Sequence, residues 1–112
     1  MTHRDERLYL AEILEAIDRA LGYTAEGREA FVVDPKTQDA VVRNIEIIGE
    51  AVRGLSEATR QAHPEVPWGK IAGTRDRVIH GYFNVDLDII WEIVEAELPE
   101  LRRRIAKLLP RV

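Results

Sequence analysis

Residues 34–55 read DPKTQDAVVRNIEIIGEAVRGL, and the spacing of their apolar side chains decides the fold. Val41, Ile45, Ile48, Val52 and Leu55 step by 4, 3, 4 and 3, which puts all five on one face of an α-helix. Such a face is a seam for packing against another helix. Asp34-Pro35 marks its start: the carboxylate caps free backbone N–H groups, and proline occupies a first-turn position whose N–H has no helical partner anyway. Gly49 falls within the seam, where a missing side chain lets a neighbouring backbone approach.

The same periodicity runs outward in both directions. Leu10, Ile13, Leu14, Ile17 and Leu21 form a stripe closed by Gly22, and a short helix is expected over 25–32 with Thr24 as its cap. A further helical stretch spans 56–62 and stops at His63-Pro64. A fourth segment opens at Pro67 and is expected to run through Trp68, Ile71 and Ala72 to a stop at Gly81. Asp86 caps a last helix whose Leu87, Trp91, Val94, Leu98, Leu101, Ile105 and Leu108 alternate by 4 and 3, with Pro99 imposing a kink or break near 97–99. No strand or hairpin signal stands out. The expected fold is all-α: one domain over 1–112, a small antiparallel bundle of four to five main helices. Two long seams in so short a chain leave apolar face to spare, and a homodimer is the simplest use for it.

Composition narrows the chemistry. The chain is 46% hydrophobic and 32% charged, as in a globular protein, and has no apolar run long enough to span a bilayer. Its first twenty residues alternate charge with apolar side chains, unlike a secretory leader, so a cytoplasmic location is expected. Cysteine is absent, which excludes disulfides, thiolate catalysis and cysteine-ligated zinc. HExxH, phosphate-loop and dinucleotide-loop patterns are also missing, so no metal or cofactor is expected. The net charge of −4 argues against a generally basic coat for nucleic acid. Residues 100–112 nevertheless carry a local +4 from Arg102, Arg103, Arg104, Lys107 and Arg111 against Glu100, either a local anion-binding surface or a solvated helix end.

The stretch most loaded with reactive groups is RDRVIHGY, Arg75 to Tyr82. On an ideal helix Arg75 and His80 stand ~140° apart and ~7.5 Å along the axis, not side by side. In the last turn before Gly81, His80 would feel the negative helix pole, which favours its protonated form and suits it to acid–base work. The plain reading stands beside this one: His80 as a C-terminal cap, Arg75 paired with surface carboxylates, Tyr82 in the core. His3 and His63 read as solvent-facing, and Asn44, Glu46 and Glu50 as solvated helix residues outside any site.

Arginine, four residues, histidine, one residue and tyrosine, with the polar Asp76 after the arginine, resembles the signature of the HepT toxins within the HEPN superfamily of small helical ribonucleases. The surrounding PWGKIAGTRDRVIHGYFNVDLDIIWEIV and the upstream RNIEIIGEAVRGLSE extend the likeness over nearly the whole chain. The resemblance implies a HEPN-like bundle that dimerises and cuts RNA without metal, joining two motifs in one cleft. It implies catalytic roles for Arg75 and His80 and support from Asp76; Arg77 is expected to help hold substrate phosphate. It further implies a toxin–antitoxin module in which a minimal nucleotidyltransferase neutralises the toxin by AMPylation of Tyr82. Two alternatives remain open: a non-catalytic helical module that docks the nucleotidyltransferase, and a purely structural adaptor.

Overall fold

The structure is a computed structural model that describes residues 5–80 and 84–111, the side chains of His80, Asn84 and Arg111 excepted. Eight helices follow in order: α1 (Glu6–Tyr23), α2 (Arg28–Val32), α3 (Pro35–Gly54), α4 (Glu57–Ala62), α5 (Trp68–Ala72), α6 (Thr74–Val78), α7 (Leu87–Glu92) and α8 (Leu98–Leu108). A π-helical segment, Ile93–Glu97, joins α7 to α8, and two short strands, β1 (Ile79–His80) and β2 (Asn84–Val85), separate α6 from α7.

The seam of α3 is the centre of the core. Val41, Ile45, Ile48, Val52 and Leu55 are all buried, together with Leu10, Ile13 and Ile17 of α1 and Leu98, Leu101, Ile105 and Leu108 of α8. The two long helices α1 and α3 run antiparallel. The start of α1 meets the end of α3, where Glu6 accepts hydrogen bonds from the Ser56 N–H at 2.8 Å and the Thr59 hydroxyl at 2.7 Å. Asp34 caps α3 as expected, accepting from the N–H groups of Lys36 and Thr37. Ser56 does the same for α4 through the Thr59 N–H. Gly49 also plays its expected part, because a β-carbon there would lie 3.3 Å from the carbonyl oxygen of Ala72, the last residue of α5.

The expectations miss in three places, each for a local reason. The short second helix begins at Arg28, not at 25, because Gly27 adopts a φ of 100°, a left-handed value that breaks the helix. Thr24 instead closes α1, donating its hydroxyl to the Ala20 carbonyl at 2.8 Å. The interruption expected near Pro99 is present, as a π-helical turn and not as a full break. The turn before the proline widens, so that the Leu98 N–H reaches back to Ile93 and the rod continues from α7 into α8. His63 is not solvent-facing: its side chain is mostly covered, and its carbonyl accepts from the Trp68 indole N–H at 3.0 Å. Finally, the helix expected to reach Gly81 is split at Gly73 and ends at Val78. Ile79 is extended (φ −107°, ψ 113°), and Ile79 and His80 pair antiparallel with Val85 and Asn84.

Between α5 and α6 on one side and the π segment and α8 on the other lies a groove of about 350 Å³. Ile45, Ile48, Ile71, Ile93, Leu98 and Leu101 line its apolar floor.

Candidate functional site

Three of the motif's charged side chains stand on α6, a helix too short to hold itself and therefore placed by its contacts. Val78 is fully buried, and the buried Thr74 donates its hydroxyl to the Lys70 carbonyl at 3.0 Å, tying α6 to α5. Behind Val78, its carbonyl accepts from the Asp86 N–H at 2.7 Å, which closes the hairpin that follows.

With α6 so anchored, Arg75 and Arg77 point away from each other, since two residues along a helix span ~200°. Arg75 faces α3, its Nε 3.6 Å from Oε2 of Glu46, and its side chain is 51% exposed. Arg77 faces the rod. Its two terminal nitrogens each donate to one oxygen of Glu97 at 2.8 Å, a fork-to-fork pair that uses the planarity of both groups. Lys70 adds a third charge, its Nζ 3.7 Å from Glu97 Oε1. The hydrogen bonds from Arg77 outweigh partial burial and hold the Glu97 carboxyl below its usual range, while the same bonds raise the Arg77 guanidinium further. Asp76 is exposed in the first turn of α6.

The backbone of His80 lies in β1 opposite Asn84. It is therefore not in the last turn of a helix, and the expectation that a helix pole favours its protonated form is withdrawn. The ~140° separation from Arg75 falls with it, because the chain between them is not one helix. Tyr82 lies outside the described residues.

Glu46 and Glu97 are the residues the sequence reading left out. By sequence spacing Glu46 resembles a solvated helix residue, and Glu97 is only the neighbour of an expected kink. Asn44, which resembles a solvated residue too, is buried and donates its amide to the Ala40 carbonyl at 2.8 Å. Glu50 is exposed and pairs with Arg53 at 3.2 Å. The basic end of the chain is laced with carboxylates. Arg102 pairs with Asp18 at 2.6 Å, and Arg103 and Arg104 share Glu100, whose carboxyl they pull down to about 2. For Arg102, Arg103 and Arg104 that pattern is a charged helix face with partners supplied from within the chain. Among the described residues no group of three or more His, Asp or Glu side chains is placed to hold a metal ion. No helix among them is long and apolar enough to cross a membrane.

Comparison with known proteins gives this arrangement a family. The family model described as "Ribonuclease HepT-like" matches residues 13–108. The chain is 42% identical over 108 residues to "Probable ribonuclease HepT" of Thermococcus cleftensis, covering 96% of both chains. It is 45% identical over 107 residues to "Putative RNase TTE0752" of Caldanaerobacter subterraneus, covering 92% of this chain and 93% of that one. To "Putative RNase MJ0127" of Methanocaldococcus jannaschii it is 38% identical over 110 residues, 97% of this chain and 91% of the other. No solved structure matches. With nearly its whole length matched, and with the arginine of the motif half exposed on α6 just before the hairpin, the chain belongs to the ribonuclease HepT-like family.

Proposed function

We propose that this protein is an RNA endonuclease toxin that works as a homodimer and needs no metal. The observation that carries the reading is Arg75, a half-exposed cation on a helix of a ribonuclease-family chain, five residues before the histidine of the hairpin.

Cleavage of RNA without metal uses the ribose 2′-OH as nucleophile. It attacks the adjacent phosphorus, the 5′-oxygen leaves, and one group must take the first proton while another supplies the second. One histidine per chain does not readily fill both roles, whereas a two-fold dimer supplies two copies of His80. Arg75 and its counterpart would present permanently charged, planar guanidinium groups to the phosphate as negative charge builds on it. Asp76, exposed beside Arg75, is assigned a supporting polar role. Arg77 is not assigned to substrate, because both of its terminal nitrogens are already engaged by Glu97.

The regulator in this reading is a minimal nucleotidyltransferase that transfers AMP from ATP to the phenolic oxygen of Tyr82, releasing pyrophosphate. The added nucleotide is bulky and anionic, and two residues from His80 it would obstruct the cleft and repel RNA. Cytoplasmic action follows from an RNA target and an intracellular regulator.

The test is RNA cleavage by purified protein in EDTA, with Arg75→Ala and His80→Ala compared after circular dichroism has shown both folded. Cleavage by the parent and its loss in both variants is the expected result; undiminished cleavage in either variant overturns the assignment. Intact mass after co-expression with the nucleotidyltransferase should show added AMP that disappears in Tyr82→Phe. An unmodified but neutralised toxin would mean that the partner acts by binding alone.

A further inference from the structure

We propose that Glu97 is a positioning residue for the arginine–histidine site, acting through Arg77 to fix the orientation of α6. The role of Glu97 in catalysis rests on the ribonuclease reading; its role in holding α6 does not.

α6 rests on α3 and α7 as well as on α5, and its twist on the outer side depends on a few polar contacts. α6 has five residues, fewer than two turns, so its own hydrogen bonds cannot define its direction. Thr74 and Val78 pin it towards α5 and the core. α6 also packs on α7, but further along the rod close packing is interrupted by the groove of about 350 Å³, with Ile71 and Thr74 on one wall and Ile93 and Leu98 on the other. Glu97 stands at that groove and is bonded to α6 by both arms of the Arg77 fork, with Lys70 of α5 alongside. Where side chains do not interlock, a two-bond planar contact sets both distance and twist.

The widened turn explains why Glu97 is available. The π-helical segment over Ile93–Glu97 shifts the phase of the rod immediately before Pro99, and Glu97 is its last residue. Such turns insert one extra residue and re-aim the side chains at their end. Ile93 and Val94 of the same segment remain buried, so the segment holds the core with one face while Glu97 reaches α6.

Rotation of α6 would carry Arg75 and the following strand with it, because Arg75 is two residues from Arg77 and β1 begins directly after Val78. Arg75 and Arg77 thus divide the labour of two cations on one short helix. Arg77 is bonded to Glu97 at 2.8 Å through both terminal nitrogens, whereas Arg75, half exposed and 3.6 Å from Glu46, is the more available of the two to an anion.

The test uses the full chain as wild type, Glu97→Gln, Arg77→Lys and the exchange Arg77→Glu/Glu97→Arg. Steady-state RNA cleavage should show kcat reduced about tenfold or more in both single variants, with KM within about threefold, as expected when a reacting group is misplaced but substrate binding persists. The exchange variant should recover most of the lost kcat. Amide hydrogen exchange should accelerate over 74–80 in both single variants while α1 and α3 keep their protection. A rise in KM alone, with kcat kept, would show that Arg77 binds RNA directly and overturns the proposal, as would unchanged exchange over 74–80. If wild type cuts no RNA, the ribonuclease reading fails, and the exchange data alone then decide whether Glu97 holds α6.

Discussion

Nε of Arg75 stands 3.6 Å from Oε2 of Glu46, so the exposed arginine of α6 faces a carboxylate on α3 and not open solvent alone. At that separation, with Arg75 about half exposed, the pair contributes little to stability, about 0–1 kcal/mol. Its effect on an incoming phosphate is larger in kind, because substrate must compete with Glu46 for the same cation. Glu46→Gln should therefore tighten RNA binding severalfold while moving the unfolding free energy by less than about 1 kcal/mol. Fluorescence anisotropy with RNA in a His80→Ala background measures the first, and urea denaturation the second. The gain should shrink at high salt, where the Debye length falls to about 3 Å at 1 M. Weaker binding in Glu46→Gln would mean that Glu46 orients Arg75 and does not compete with its ligand.

Gly49 makes a prediction with the opposite sense to helix propensity. Alanine in place of a mid-helix glycine normally gains about 1 kcal/mol. Here the new β-carbon would come 3.3 Å from the Ala72 carbonyl oxygen, which cannot easily retreat because Arg53 donates to it at 2.8 Å. Gly49→Ala should lose about 1 kcal/mol and Gly49→Val about 3 kcal/mol, as overpacked sites do. Equilibrium denaturation gives both numbers, and a stabilised Gly49→Ala would show that α5 yields at no cost.

Features carried by short-range periodicity were legible before any coordinates. Every residue of the 4-3-4-3 seam of α3 is buried, and the Asp34 cap acts as expected, since it reaches residues only two or three positions away. Ile90 and Ile93 are buried but absent from the strict seam read for the last helix, because a core-facing helix buries a wider stripe than two positions in seven. The end of α6 at Val78 was not legible: two-residue strands are too short to show alternation, and Ile79 fits a helix face as well as a strand. Nor were the partners of the two motif arginines. Glu97 lies twenty residues from Arg77, and nothing in local spacing joins them. Charge pairs across elements belong to the tertiary fold, which is why Glu46 and Glu97 resembled the other solvated carboxylates.

Asp34 should be the most costly helix cap to remove. Its carboxylate accepts from the Lys36 and Thr37 N–H groups and from the Thr37 hydroxyl, at 3.2, 3.3 and 2.7 Å. Asp34→Ala leaves those amide groups to water and should lower stability by about 1 kcal/mol, whereas Asp34→Ser should lose only a few tenths. Thermal and urea unfolding of the three proteins tests this. Equal loss in both variants would assign the effect to the carboxylate charge near the helix N-terminus rather than to the cap geometry.

Acid should unfold the protein from a definite side. Asp34 is held below its ordinary range by the Thr37 hydroxyl and N–H, Asp5 by the Arg7 N–H and guanidinium, and Glu97 by Arg77. In Glu6, burial pushes the carboxyl up, but hydrogen bonds from Thr59 and Ser56 outweigh it and the net change is downward. Each is a carboxylate whose folded pKa lies below its unfolded value, so the folded state binds fewer protons than the unfolded one. Their stabilisation is complete above the unfolded carboxylate range, about pH 4–4.5, and is lost as pH falls through the lower folded values. Stability should thus be nearly flat from about pH 7 to about pH 5.5 as far as these groups decide it, and decline below about pH 4.5. Glu97→Gln should flatten part of that decline, because its amide no longer titrates. A pH series of urea midpoints for wild type and Glu97→Gln measures the difference. Parallel curves for the two proteins would show that the Arg77–Glu97 pair contributes nothing to the acid limb.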